Sequence, residues 1–331
     1  MTEFDPLRFH GDEAAAHATL DFAVNVRSPR PPGWLRDVLI QGIDTLGAYP
    51  NATQARIDVA NHHGVLPEQV LLLAGAAEGF SLLPHLRPRN ATIVHPQFTE
   101  PEYALRMAGI PISRWILPPP FTLNDVPELG EMVVIGNPTN PTGVLHSAAD
   151  LLWLAERTRY LVVDEAFMDL APARSIIEYF NERLIVLRSL TKTWALAGLR
   201  CGYLIADAAV VETLERYRPH WPLSTLQLLA IQATVRADAA PLREAMIAER
   251  AHMEAVLRGA GWQTYPSEAP FLLVKPPGDD PEAQRLALAE RGIAVRRCDT
   301  FPGLDESFWR LAVRDAEAVA TLEACRKEIA P

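Results

Sequence analysis

Tyr160-Leu161-Val162-Val163-Asp164-Glu165-Ala166-Phe167 is the stretch on which the reading of the fold turns. Four apolar residues run without apolar/polar alternation and close on a carboxylate. Strands of that kind are buried on both faces, as in a parallel sheet covered by helices on each side. Working outward, the same signature recurs at Val70-Leu71-Leu72-Leu73-Ala74, Ala91-Thr92-Ile93-Val94, Met132-Val133-Val134-Ile135 and Leu184-Ile185-Val186-Leu187. Helix-length amphipathic segments lie between, over 78–85, 100–108 and 147–158, the last opening on the N-cap candidate Ser147. This alternation predicts a doubly wound α/β domain over 45–235.

Beyond residue 235 the pattern changes. A long helix rich in Ala, Glu and Arg is expected over 241–260, then a strand at 271–274, a helix over 281–291, strands at 293–296 and 309–313, and a closing helix from Asp315. That is a smaller α+β domain, 236–331. Residues 1–44, with Pro29, Pro31 and Pro32, are expected to form an arm packed on it.

The chain has 331 residues, 49% hydrophobic and 22% charged, enough for one large or two modest domains. Lys and Arg total 31 against 41 Asp and Glu, a net charge of −10 with no basic block, which argues against nucleic-acid and anionic-membrane partners. Cys201, Cys298 and Cys325 form no CxxC, which argues against a disulfide scaffold or zinc ribbon. No apolar run reaches 18 residues, and the opening Met-Thr-Glu-Phe-Asp-Pro has neither a basic nor an apolar leader segment. A reduced, soluble, cytoplasmic protein is expected. His62-His63 diverge on a helix and have no partner at ligand spacing, so they read as a solvated face rather than a metal site. Gly-x-Gly-x-x-Gly is absent, which weakens a nicotinamide dehydrogenase reading.

Functional groups in an open α/β sheet collect at the carboxyl ends of strands. Four such ends carry polar or turn-forming residues. Gly75-Ala76-Ala77 opens a helix with small side chains, where backbone N–H groups can approach an anion. Gly136-Asn137-Pro138-Thr139-Asn140-Pro141-Thr142-Gly143 aims two Asn side chains from a stiff backbone. Asp164 ends a buried strand and needs a cation or hydrogen-bond donors. Ser189-Leu190-Thr191-Lys192-Thr193-Trp194, followed by Gly198-Leu199-Arg200, suits an amine held beside an anion; desolvation and a nearby cation lower a lysine pKa and make it nucleophilic. Singly, each has a bland explanation: an ordinary turn, a Pro-rich loop, a helix cap, a surface lysine. Together they suggest one site.

Taken in order, Asn-Pro-Thr-Gly, Asp-Glu-Ala-aromatic and Ser-Leu-Thr-Lys with Gly-Leu-Arg resemble the class I/II aminotransferase family, the fold-type-I pyridoxal-phosphate (PLP) enzymes. The resemblance runs along essentially the whole chain and is nearest to the histidinol-phosphate aminotransferase and threonine-phosphate decarboxylase branches. It implies an α/β fold with a large, mostly parallel sheet between helices and a smaller α+β domain. It further implies that Lys192 bonds the cofactor aldehyde and shuttles a proton, and that Asp164 pairs with the pyridine nitrogen. Asn140 is implied to bind the ring 3′-oxygen, Ser189, Arg200 and Gly75-Ala76-Ala77 the cofactor phosphate, and Phe98 to stack on the ring. Tyr49 is implied to reach the phosphate of the neighbouring subunit, which makes the active unit a homodimer. Arg310 matches the residue that grips a substrate carboxylate or phosphate, with Arg296, Arg314 and Asn25 as further substrate contacts.

Two departures bear on the reaction. Phe167 stands where the family's aminotransferases carry Tyr, which resembles the decarboxylase branch, and so does the segment from Arg296 to Arg314. Arg27 and Ser28 replace an Asn-Pro often found in the arm. The leading expectation is therefore decarboxylation of threonine phosphate in cobalamin side-chain synthesis. The alternative is transamination of histidinol phosphate or a related amino acid with 2-oxoglutarate, and a distant third is a non-catalytic PLP-binding protein.

Overall fold

The computed structural model describes residues 5–330. A short strand, β1 (Leu20–Asp21), lies near the amino terminus; seven strands then build the central sheet: β2 (Val70–Leu73), β3 (Ala91–His95), β4 (Ile112–Ile116), β5 (Met132–Gly136), β6 (Tyr160–Asp164), β7 (Leu184–Ser189) and β8 (Gly202–Ile205). Their order across the sheet is β2-β8-β7-β6-β5-β3-β4. The strands from β3 to β7 pair in parallel, while β8 runs antiparallel to both β7 and β2.

Successive side chains on a strand face opposite ways, and here both faces are covered. Val133, Ile135, Leu161, Val163 and Val186 enter one core, whereas Met132, Val134, Tyr160, Val162, Ile185 and Leu187 enter the other. Hence the unbroken apolar runs. Two strands lack that signature. β4 is an edge strand, with Ser113 and Arg114 exposed, and β8 is four residues opening on a glycine.

The carboxy-terminal part carries a second sheet of β9 (Gln263–Thr264), β10 (Phe271–Lys275), β12 (Arg296–Arg297) and β13 (Trp309–Ala312), in the order β12-β13-β10-β9 and antiparallel throughout; β11 (Ile293–Ala294) instead pairs in parallel with β1. The single strand expected over 293–296 is thus two. Ile293 and Val295 both bury in the core of this part, and the chain passes between them from one sheet to the other, which leaves Arg296 beside β13. Phe22, one residue past β1, is fully buried in the same core. Elsewhere near the amino terminus, the helix Gly33–Ile43 packs on the helix Thr225–Arg236, and the turn Pro6–Arg8 packs on the helix Glu100–Met107. No helix among the described residues is long and apolar enough to cross a membrane.

Candidate active site

The register of the sheet gathers the functional strand ends. Asp164 at the end of β6 stands opposite Gly136 of β5 and Leu187 of β7, and Ser189 at the end of β7 stands opposite Gly202 of β8. A cleft of about 560 Å³ opens over these ends, lined by Asp164, Ser189, Lys192, Asn140, Ala76, Ala77, Phe98, Arg200, Asn25, Arg296 and Arg310 among others. Eleven of the residues singled out from sequence therefore meet in one place.

Charge placement in the cleft is strained by burial. Asp164 Oδ1 accepts from the Ala166 N–H at 3.1 Å. Desolvation raises its pKa to about 6, the neighbouring Glu165 adds to the rise, and Ala166 and Lys192 oppose it. The half-buried Lys192 amine moves the other way, to about 8, first through desolvation and then through the Arg310 and Arg200 guanidiniums. An amine so lowered loses its proton more readily near neutral pH.

One end of the cleft joins a glycine turn to the Arg200 guanidinium, a setting that can take an anion. Gly75 has φ +80°, and a Cβ there would sit 2.7 Å from Arg200 Nη2, so only glycine lets that guanidinium lie against the turn. The turn itself is braced by Glu78, whose carboxylate accepts from the Ala74 N–H at 2.6 Å and pairs with the buried Arg218 at 2.8 Å. Ser189 and Thr191 share a hydroxyl hydrogen bond of 2.8 Å across the mouth of β7. Arg200 has φ +61° and Ala195 φ +54°, left-handed values that mark a backbone held by its surroundings around Lys192.

The opposite end is made of arginines and arm backbone. Arg310 on β13 is buried, donates to Asn140 Oδ1 at 2.7 Å and to the Ala23 carbonyl, and keeps a buried Nε without a partner. Burial first and Arg296 second lower its pKa to about 9. Arg296 is buried too, and donates to the carbonyls of Arg297 and Phe9 and to the Thr300 hydroxyl, with its guanidinium over the Phe301 ring. Arg314 sits farther off: it lines a smaller cavity on the far side of Lys192 and donates to the carbonyls of Asp21 and Val24 at 2.6 and 2.7 Å. Asn25 borders both cavities, and its Oδ1 is buried without a partner.

Tyr49 lies elsewhere. It is 75% exposed and stacks on Trp221 at 4.2 Å, beside a separate surface pocket. His63 departs from the solvated face expected of it: its Nε2 lies 2.8 Å from the Tyr203 hydroxyl, and burial followed by Arg188 pushes its pKa down to about 3. The sequence reading missed Arg8, His10, Gly11 and Asp12, which also line the cleft. His10 Nε2 is 2.7 Å from Glu100 Oε1, and its ring centre is 5.4 Å from that of Phe98. A Cβ on Gly11 would clash with the Ala23 carbonyl. These residues end no strand and carry no periodic pattern; only the closeness of the arm to the cleft reveals them.

Residues 39–324 match the family model described as aminotransferase class I and II. The chain belongs to that family. Among curated members, a histidinol-phosphate aminotransferase of Mycobacterium tuberculosis is 48% identical over 318 residues, covering 93% of this chain and 87% of the relative. A threonine-phosphate decarboxylase of Salmonella typhimurium is 32% identical over 336 residues, 94% of this chain and 91% of that one. Among solved structures, histidinol-phosphate aminotransferase from Sinorhizobium meliloti in complex with pyridoxal-5′-phosphate superposes with a TM-score of 0.85 at 20% identity, covering 100% of this chain and 99% of that one. The architecture is that of the fold-type-I aminotransferases: a mostly parallel central sheet flanked by helices.

Proposed function

We propose that this family member is a PLP-dependent aminotransferase for a small phosphorylated amino acid or amino alcohol, histidinol phosphate being the leading candidate and 2-oxoglutarate the acceptor. The observation that carries the reading is the meeting of Lys192, Asp164 and Arg310 in one cleft, with the amine lowered to about 8. The residues fit the cofactor. The Ala76-Ala77 turn, the Arg200 guanidinium and the Ser189 hydroxyl border one end of the cleft, where a phosphate can meet all three, and the Asp164 carboxylate stands ready for a ring nitrogen. When bound, PLP draws electrons from a bond at the substrate Cα into its protonated ring.

The protein supplies the rest. Lys192 offers the amine that holds the aldehyde and then moves the Cα proton. Asp164, raised to about 6 before the cofactor arrives, ionises fully beside a ring N–H⁺. Asn140 donates its amide N–H while its Oδ1 is held by Arg310, so one residue orients both cofactor and substrate ends. Arg310 takes the substrate anion, the phosphate of histidinol phosphate or a carboxylate of 2-oxoglutarate, and its unpartnered Nε gains an acceptor. Arg200, Arg296, Arg310, Arg8 and Lys192 outnumber the carboxylates of Asp12, Glu100 and Asp164 around the cleft, which supports one anion from the cofactor and another from the substrate. In this reading residues 1–44 are the arm, 45–235 the large domain and 236–331 the small domain. Tyr49 serves the second active site of a homodimer, its exposure leaving it available to a neighbour.

Decarboxylation, the leading expectation from sequence, becomes the second reading, because the 48% identical relative is a histidinol-phosphate aminotransferase and the decarboxylase relative is 32% identical. Phe167 is what keeps it in play. It is buried edge-on against Phe271 at 5.0 Å and offers no hydroxyl to the ring. Incubation of PLP-loaded protein with histidinol phosphate and 2-oxoglutarate, and separately with threonine phosphate alone, tests the two. Glutamate formed in the first supports transamination; CO₂ released in the second without an amino acceptor overturns it.

A further inference from the structure

A chain of contacts behind the cleft joins the two residues that flank the cofactor. Thr193, next to Lys192, donates its hydroxyl to Asp169 Oδ2 at 2.6 Å. The other oxygen, Asp169 Oδ1, accepts from Arg188 Nη2 at 2.7 Å. Arg188 Nη1 donates to Glu165 Oε2 at 3.2 Å, and Glu165 follows Asp164. The path Lys192–Thr193–Asp169–Arg188–Glu165–Asp164 therefore starts at the amine and ends at the carboxylate. Both terminal links are single peptide bonds.

Glu165 is held from a second side. Glu165 accepts from the Ser175 hydroxyl at 2.6 Å and the Ile176 N–H at 2.8 Å, and its own N–H donates to the Leu187 carbonyl of β7. Arg188 and Glu165 are buried, and Arg188 lies on β7 immediately before Ser189. Tyr203 of β8 stands opposite Arg188 in the sheet, and its hydroxyl lies 2.8 Å from Nε2 of His63, which is neutral at physiological pH, so neither adds charge. Two carboxylates and a guanidinium in such a place cost desolvation that a packed apolar cluster does not, so their presence is weak support for stability and better explained by geometry. They fix the end of β6 to the loop after β7.

Resting on the assignment of Lys192 and Asp164 to PLP, we propose that Thr193, Asp169 and Arg188 are positioning residues: they set the distance between the Lys192 amine and the Asp164 carboxylate, and with it the fit of a ring held between the two. None of them needs to touch cofactor or substrate.

The test compares Thr193→Val, which keeps shape and loses the donor, with Thr193→Ser, which keeps the donor. Full-length protein stripped of PLP and reloaded is measured for PLP dissociation constant, for the pH midpoint of its visible absorbance band, and for cofactor-free melting temperature. Loss of a hydrogen bond to a charged acceptor predicts about tenfold weaker PLP binding and a displaced midpoint for Thr193→Val, with Thr193→Ser within about twofold of wild type. Asp169→Asn moves the same readouts, and the double variant is no worse than the weaker single one, because both cut one path. Wild-type affinity and midpoint in Thr193→Val overturn the proposal, as does additivity in the double variant. Loss of affinity that merely tracks melting temperature across the set overturns it too, since that marks a brace. A wild-type protein with no visible band on PLP addition would instead remove the cofactor assignment itself.

Discussion

The two ends of the cleft are built differently. The end that we propose holds the cofactor rests on strand termini of the central sheet, where Asp164, Ser189 and the Lys192 loop follow directly from buried apolar runs. The end that we propose takes the substrate is assembled from chain ends: Arg310 holds Ala23 and Arg296 holds Phe9, each across 287 residues, and Arg314 holds Asp21 across 293. The first end is set by local sequence and a rigid core. The second depends on the arm staying closed on β13, so specificity can change there without disturbing the chemistry.

Lys192→Ala gives the largest effect. It should abolish the borohydride-sensitive visible band on PLP addition and lower turnover by at least about a thousandfold, because no other amine lines the cleft among the described residues. Retained band and turnover would break the assignment of the cofactor end.

Arg310→Ala comes next and sharpens the comparison. Removing a charge-assisted donor should lower kcat/KM about a hundredfold, while PLP affinity falls only severalfold through the loosened Asn140. Equal collapse of both readouts would show that the two ends are one unit. Arg314→Gln then probes the arm alone. It severs the ties to Asp21 and Val24 and should raise KM about three- to tenfold at unchanged kcat, read from steady-state kinetics.

This division also explains what was legible beforehand. Asp164, Lys192, Asn140 and Ser189 could be read because each sits where an apolar run stops, and the run itself announces the strand. β4 and β8 escaped because one exposes polar residues at the sheet edge and the other opens on a glycine, which leaves a run of only three apolar residues. Arg296 was expected within a continuous strand, yet the chain changes sheets at Val295, a step that tertiary packing decides. Arg8 and His10 gave no local sign at all. The Asp169–Arg188 link was equally silent, because a buried ion pair between a strand and a loop has no spacing rule.

The smallest effect lies in stability, and it separates the ends by pH. In the unfolded chain the Lys192 ammonium titrates near 10.5, and in the cofactor-free fold near 8. Below about 8 both states hold the proton, and the folded protein bears the whole cost of confining that charge. Between 8 and 10.5 the unfolded chain holds one proton more, so the lysine's contribution to stability rises with pH. Burial pulls the Arg310 guanidinium downward as well, but an arginine keeps its proton through this range, so between pH 8 and 9 the lysine dominates the change. Lys192→Met should therefore stabilise the cofactor-free protein at pH 7 by about 1–2 kcal/mol after screening by the open cleft, a rise of a few degrees in Tm. The gain should begin to shrink between pH 8 and 9. Melting curves for wild type and Lys192→Met at pH 7, 8 and 9 measure this directly, and a difference that stays constant across the range would mean that the amine is not desolvated in the free protein.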